Sequence, residues 1–302
     1  MTPFKRLLHP IYEDGLHLPV GWLDDKLYNG FKLPNPRKIT LKLLSSINTE
    51  NDNRNTHMLM GLGQFIDHDL SFSLPSVSFS TFDRINSVDC QTTCSKTPPC
   101  YSIPLEPNDI RKKRVHLLKN RNLTHSNCIE VIRSSSFCGS GLTSVSLGVL
   151  FPREQVNQLT SYLDLSQVYG STSQFALDLR EFNDERGRLR ISLIDGKPYL
   201  PFNEKNRYPN DCQQMPSKSD FNCFLAGDVR SNEQIGLTIL HNLFLREHNR
   251  LANDLKQLNN NWTGNRIYHE ARNIMIAKMQ HITYNHWLKH VLDYESYEKL
   301  NK

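Results

Sequence analysis

The sequence predicts a mainly α chain with long ordered loops, on three observations. Segments 55–72, 233–257 and 267–292 carry apolar residues at helical spacing. Strand signals are few and short, and the sequence contains no internal repeat. Between the helices run long stretches without periodicity, which in a domain of this size usually mark function or a large cofactor. At 302 residues the chain is long enough to bury a real core.

Residues 1–54, rich in Pro, Asn and Gly, read as an extended arm with turns at Tyr12-Glu-Asp-Gly15 and Leu33-Pro-Asn-Pro36. In the 55–72 helix, Met58, Leu62, Phe65 and Ile66 recur at i, i+4, i+7 and i+8 and are expected to form the buried stripe. Residues 73–141 are Ser/Thr/Pro-rich loops holding a cysteine cluster. Residues 152–182 read as a loop and a helix, and 183–228 as irregular chain. The 224–292 segment opens on Phe-Leu-Ala-Gly-Asp-Val-Arg-Ser-Asn-Glu and continues into the two long helices. The expected apolar faces are Leu240, Leu243, Phe244, Leu251 and Leu255 on the first, and Ile274, Ala277, Ile282 and Leu288 on the second.

Composition narrows the function classes. A hydrophobic content of 38% and a charged fraction of 22% describe an ordinary soluble protein, and a dispersed net charge of +5 gives no argument for a nucleic-acid partner. No apolar run approaches the roughly 20 residues of a membrane span. Seven cysteines point to an oxidising compartment. Cys90, Cys94, Cys100, Cys128 and Cys138 crowd one segment, while Cys212 and Cys223 form a local pair, and the spacings do not match zinc-binding CxxC pairs. Two glycosylation acceptors, Asn122-Leu-Thr124 and Asn261-Trp-Thr263, also suit an exported protein. The N-terminus lacks the apolar core of a signal peptide, so the chain is expected to be secreted with its export signal outside this sequence. The run Arg111-Lys-Lys-Arg114 reads as a solvated loop, with a convertase cleavage site or a heparin contact as the functional alternatives.

Chemistry concentrates in Leu62-Gly-Gln-Phe-Ile-Asp-His-Asp-Leu70, where an amide, two carboxylates and an imidazole sit in an apolar segment. On a helix Gln64 and His68 point the same way, with Asp67 one position round, and Asp69 projects about 100° from His68. One short helix could thus present a base to a pocket and a spare carboxylate to a cation. A second motif joins Arg230 and Glu233 at i and i+3, although acidic residues near a helix start also answer the helix dipole. In the third, Leu159-Thr-Ser-Tyr-Leu-Asp-Leu-Ser-Gln-Val-Tyr-Gly170, the oxygens of Thr160, Asp164 and Ser166 recur at even spacing with the Tyr162 carbonyl between them. A loop wraps a hard cation such as Ca²⁺ in this way, given one more carboxylate from elsewhere.

Taken together these blocks resemble the animal haem peroxidases, the peroxidase–cyclooxygenase group. The resemblance runs in the family's order through Tyr12-Glu-Asp-Gly, Gly63-Gln-Phe-Ile-Asp-His-Asp, Leu159-Thr-Ser-Tyr-Leu-Asp and Ala226-Gly-Asp-Val-Arg. It continues through Leu245-Arg-Glu-His-Asn-Arg-Leu-Ala to Ile282-Thr-Tyr-Asn-His-Trp. It looks most like the peroxidasin-type secreted peroxidases of invertebrates and implies a helical domain that reduces hydrogen peroxide and oxidises halide, thiocyanate or a phenol such as tyrosine. His68 matches the distal base, Arg230 the distal arginine, and Gln64 the amide that orients water or halide. Asp67 and Glu233 match the carboxylates that make ester links to haem b, and Asp69, Thr160, Tyr162, Asp164 and Ser166 match the calcium ligands. The resemblance also implies the bridges Cys90–Cys100, Cys94–Cys128 and Cys212–Cys223, leaving Cys138 for an intermolecular bond or a free thiol.

The family's iron-binding histidine lies beyond the block matching 282–287, in an Arg-x-Gly-His context that this sequence does not contain. His286 and His290 stand at i and i+4, a spacing open to a substitute iron ligand or a zinc pair, but their helix resembles a structural one. The chain is therefore expected to be the first part of a catalytic domain, cut at both ends and inactive alone. The alternative reading is a non-catalytic, peroxidase-like protein that binds an extracellular matrix partner. The retained His68, Arg230 and ester carboxylates favour the enzyme.

Overall fold

The computed structural model describes residues 2–23, 25–44, 50–76, 90, 94–112, 127–204, 208 and 222–300. The chain divides into two compact units, one of Met1–Asn51 and Phe72–Gln158, the other of Asp52–Ser71 and Leu159–Lys302.

The first unit is loop-rich. Thr2–Pro3 pairs antiparallel with Val156–Asn157, and Ile103–Pro104 with Cys128–Ile129. The turn expected at Tyr12–Gly15 is present: the Gly15 amide donates to the Tyr12 carbonyl at 3.1 Å, and Gly15 takes the positive φ (+71°) that favours glycine. The extended arm needs one correction, because Pro36–Leu43 is an α-helix. Asn35 caps it by accepting from the Arg37 amide, and Pro36 starts it without wasting a donor. The expected bridges Cys90–Cys100 and Cys94–Cys128 are both formed, and Cys138 is a free, exposed thiol. Cys223 is disulfide-bonded; Cys212 lies outside the described residues, as do Lys113, Arg114 and the Asn122 acceptor.

The second unit is a helical body. Its helices are Met58–Leu70, the short Ser166–Tyr169 and Ser173–Asp178, the long Ile235–Leu258 and Gly264–Ile282, and the closing Leu288–Val291 and Tyr294–Leu300. A hairpin, Ser192–Ile194 with Lys197–Tyr199, is its one strand pair among the described residues. Phe65, Tyr169, Leu237, Tyr268 and Met279 sit at its centre with almost no exposure. Each such side chain contributes ~1.5–3 kcal/mol by leaving water.

Three apolar faces differ from expectation. Met58 is exposed, so the first helix buries Phe65 and Ile66 with Leu62 packed beside them. On Ile235–Leu258, Leu243 faces out, while Leu237, Leu240, Phe244 and Leu245 face in. On Gly264–Ile282 the buried stripe is Ile267, Tyr268, Ala271, Met275 and Met279, and Ile274 and Ala277 lie on an open face. That helix is apolar on more than one side, and packing against Ile235–Leu258 selects the side carrying Tyr268 and Met275. Among the described residues, no helix is long and apolar enough to cross a membrane.

Candidate active site

The Met58–Leu70 helix carries the polar cluster, and two features outside it fix its seating. Gly63 lets the Trp287 indole lie against the helix, since a Cβ there would stand 2.8 Å from the ring. The same indole donates from Nε1 to the Leu59 carbonyl at 2.9 Å. At the other end, Arg230 grips the last turn, donating from Nη1 to the Ser71 carbonyl at 3.0 Å and from Nη2 to the His68 carbonyl at 3.3 Å. A cation at this end satisfies terminal carbonyls and complements the dipole.

Arg230 is itself held in a fork. Its Nη2 and Nε donate to the two oxygens of Asp228 at 2.6 and 2.9 Å, and Asp228 also accepts from the Arg230 amide at 2.6 Å. Both side chains are largely buried, 14% and 7% exposed, so the pair is an ordered contact rather than a screened surface bridge. Gly227 just before it packs against the backbone of 166–170, where any side chain would collide.

His68 is only 4% exposed, and its Nε2 lies 4.0 Å from the Glu233 carboxylate. Glu233 accepts from Gln64 Nε2 at 2.8 Å, and the Gln64 oxygen accepts from Gln234 Nε2 at the same distance. The structure thus joins Gln64, His68 and Glu233 in one cluster with an open side, because the Glu233 side chain is 50% exposed. Asp67 is exposed, and its carboxylate accepts from the Ser71 hydroxyl at 2.8 Å.

Asp69 turns inward. It is fully buried and accepts from the Leu165 amide (2.8 Å), the Ser166 amide (2.7 Å) and the Ser166 hydroxyl (2.6 Å). Leu165 adopts φ +58° to aim these amides at the carboxylate. Burial pushes the Asp69 carboxyl above its ordinary range against these donors, and the nearby Asp164 charge adds to the rise. Asp164 Oδ1 is buried with no hydrogen-bond partner. Asp69 is already met by three donors, and the orphaned Asp164 oxygen is the kind of group a hard cation could take up. Thr160 and Tyr162 lie exposed on the same loop.

No sequence pattern marks His241, yet it lies against the cluster. It is 1% exposed, its ring meets Phe65 edge-on at 5.0 Å, and neither ring nitrogen has a hydrogen-bond partner. Burial lowers its pKa to about 3; the His68 and Arg230 charges act the same way, and Asp228 opposes them. The only available signal is a histidine flanked by Leu237, Leu240 and Leu245 at helical spacing, which reads as core.

The family model described as animal haem peroxidase matches residues 1–302. The chain is 42% identical to peroxidasin of Drosophila melanogaster over 304 residues, covering 100% of this chain and 19% of that protein. It is 44% identical to the human peroxidasin homolog, covering 97% and 19%, and 39% identical to human thyroid peroxidase, covering 99% and 32%. The chain therefore spans about a fifth of the length of these peroxidasin relatives. Among solved structures, peroxidase A from Dictyostelium discoideum superposes with a TM-score of 0.68 at 23% identity, over 95% of this chain and 48% of that one. A fatty acid alpha-dioxygenase from Arabidopsis thaliana follows at 0.56 and 18%, over 84% and 31%. At these identities the likeness shows the fold.

Proposed function

Because the chain belongs to the animal haem peroxidases, a family of oxidoreductases, we propose that its second unit forms the distal side of a haem pocket that reduces hydrogen peroxide. The observation that carries this reading is the convergence of Gln64, His68 and Glu233 beside a helix end clamped by Arg230. The donor set suits the group: the sunken His68 imidazole stands 4.0 Å from the half-exposed Glu233 carboxylate, and Asp67, exposed on the same helix, is the second carboxylate proposed for an ester link. Haem, when bound, supplies the redox centre that takes the oxidising equivalents of peroxide. The chain's own residues manage the proton. His68 Nε2 accepts it from the inner peroxide oxygen and returns it to the leaving oxygen, a task suited to a neutral imidazole. Gln64 orients water or halide by its amide, and Arg230, paired with Asp228 in this structure, is the proposed distal arginine that would steady the separating oxygens. Halide, thiocyanate and phenols are the donors proposed for the oxidised enzyme, and the disulfides support secretion.

In haem-loaded protein, His68→Ala should slow the reaction with peroxide by ~10²–10⁴-fold, the usual worth of a positioned base, while haem absorbance stays in place. Stopped-flow spectra giving an unchanged rate would remove His68 from this role.

Calcium is proposed between Asp69 and the 160–166 loop, with Asp69, Thr160, the Tyr162 carbonyl, Asp164 and Ser166 as ligands. The orphaned Asp164 oxygen supports it. Chelation with EDTA should lower the melting temperature and raise proteolysis within 159–170, and added Ca²⁺ should reverse both. Melting curves identical with and without EDTA would exclude the site.

A further inference from the structure

The Gly264–Ile282 helix continues through one π-helical turn, Thr283–Trp287, and resumes as α-helix at Leu288–Val291. Two contacts hold the widened turn. Thr283 Oγ1 donates to the Met279 carbonyl at 2.8 Å, and the Trp287 indole is tied to Leu59. In a regular α-helix, residues five apart point ~140° away from each other. The extra residue of a π-turn closes that angle and sets His281 and His286 side by side, both exposed. Their Nε2 atoms are 3.3 Å apart and their ring centres 5.1 Å apart.

These two distances suit a shared ligand better than a straight hydrogen bond. A linear N–H···N bond aligns the rings and would put their centres ~5.6 Å apart at this nitrogen separation. The ring planes are inclined at 71°, and two nitrogens 3.3 Å apart can both lie about 2.0–2.1 Å from one zinc ion in tetrahedral geometry. The Asn285 amide nitrogen lies 3.0 Å from the outer nitrogen, His281 Nδ1. An Asn side chain presents oxygen or nitrogen by a half-turn, and ligating histidines usually donate their other N–H to such an oxygen.

We propose that His281 and His286 form a two-histidine site for a first-row transition-metal dication, Zn²⁺ foremost, with Asn285 as its outer hydrogen-bond acceptor. Neutral imidazoles select Zn²⁺, Cu²⁺ or Ni²⁺, whereas Ca²⁺ and Mg²⁺ take oxygen donors, so this site is chemically separate from the Asp69–Asp164 pair. Among the described residues the one group of three convergent His, Cys, Asp or Glu ligand atoms is Cys94, Cys128 and Glu130, and two of those are joined in a disulfide. The histidine pair therefore leaves coordination positions open to water or an external ligand.

Titrating the full chain with ZnCl₂ by calorimetry, with Ca²⁺ present throughout, tests the proposal. One Zn²⁺ per chain is expected, weakened more than about tenfold in His281→Ala and in His286→Ala and retained in His290→Ala. Asn285→Leu should weaken it less than either histidine change. Both histidines are exposed, so the variants are expected to fold, and unchanged circular dichroism checks this. Absence of zinc binding, its survival in both single-histidine variants, or its loss in His290→Ala overturns the assignment.

Discussion

Lowering the pH from 7 to 4.5 is expected to remove ~5 kcal/mol of stability through His241 and His248 alone, because each tenfold change in proton affinity on folding is worth ~1.4 kcal/mol. Both are buried and neutral. His241 has its pKa lowered to about 3 and His248 to about 4, from a usual 6.5, burial being the main cause in each. The His248 environment shows why a proton is unwelcome. Its Nε2–H donates to the Gly187 carbonyl at 3.1 Å, and its Nδ1 accepts from the Tyr169 hydroxyl at 2.9 Å, so a second ring proton would face a donor. These folded-state values are depressed, so the unfolded chain takes up protons first as pH falls. The stability is fully present above about pH 6.5 and declines below it, until each histidine titrates in the native state near its own lowered value. Glu247, held at about 2 by its Arg250 hydrogen bonds and by Lys278, adds a loss below the ordinary carboxylate range. Asp69, raised by burial, works the other way. Urea unfolding between pH 7.5 and 4.5 measures the total. Because the His241 nitrogens bond to nothing, His241→Leu leaves no orphan behind and should roughly halve the slope below pH 6.5. A stability flat across this range would show that neither histidine is buried neutral.

The Gln64–Asp69 cluster is legible in the sequence because its members lie within six residues, and helical geometry alone decides which of them share a side. That Glu233 meets Gln64, and that the Asp69 carboxylate sits on the Leu165 and Ser166 amides, depends on chain brought from far away; family resemblance puts these residues in one site but does not foresee these contacts. The Pro36–Leu43 helix has its signal in Asn35-Pro36, a cap followed by a first-turn proline, which also reads as a turn. The exposed Ile274 and Ala277 face looks like core in the sequence because periodicity finds stripes without saying which stripe has a partner. The histidine pair is hidden for a different reason. Spacing favours His286 with His290, but the π-turn shifts the register by one residue and pairs His286 with His281, and a change in helical pitch leaves no mark in a pattern that assumes one. His241 is invisible because a buried histidine and a core aliphatic occupy the same helical positions.

Gly227→Ala is expected to destabilise the second unit strongly. An added Cβ would stand 2.6 Å from the Val168 carbonyl carbon and 2.7 Å from the Ser166 oxygen, and would also strike the Gly170 amide nitrogen. All three are backbone atoms, so no side chain can rotate away. The 226–230 segment or the 166–170 turn must move instead, at a cost of ~3 kcal/mol, the upper end for overpacking. A shift there acts on both halves of the site. Ser166 donates to Asp69, and Asp228 with Arg230 closely follows Gly227, so the Asp69 contacts and the helix clamp lose register together. Gly61→Ala is the control, since it lies in the Met58–Leu70 helix and its Cβ would meet nothing within 4 Å. That change should gain ~0.5–1 kcal/mol from reduced backbone freedom. Calorimetry should therefore give opposite signs for the two variants, with Gly227→Ala melting roughly 6–12 °C lower. Equal melting temperatures would mean that the 166–170 turn yields freely, and the close packing that sets Arg230 against the helix end would then not be what holds the site.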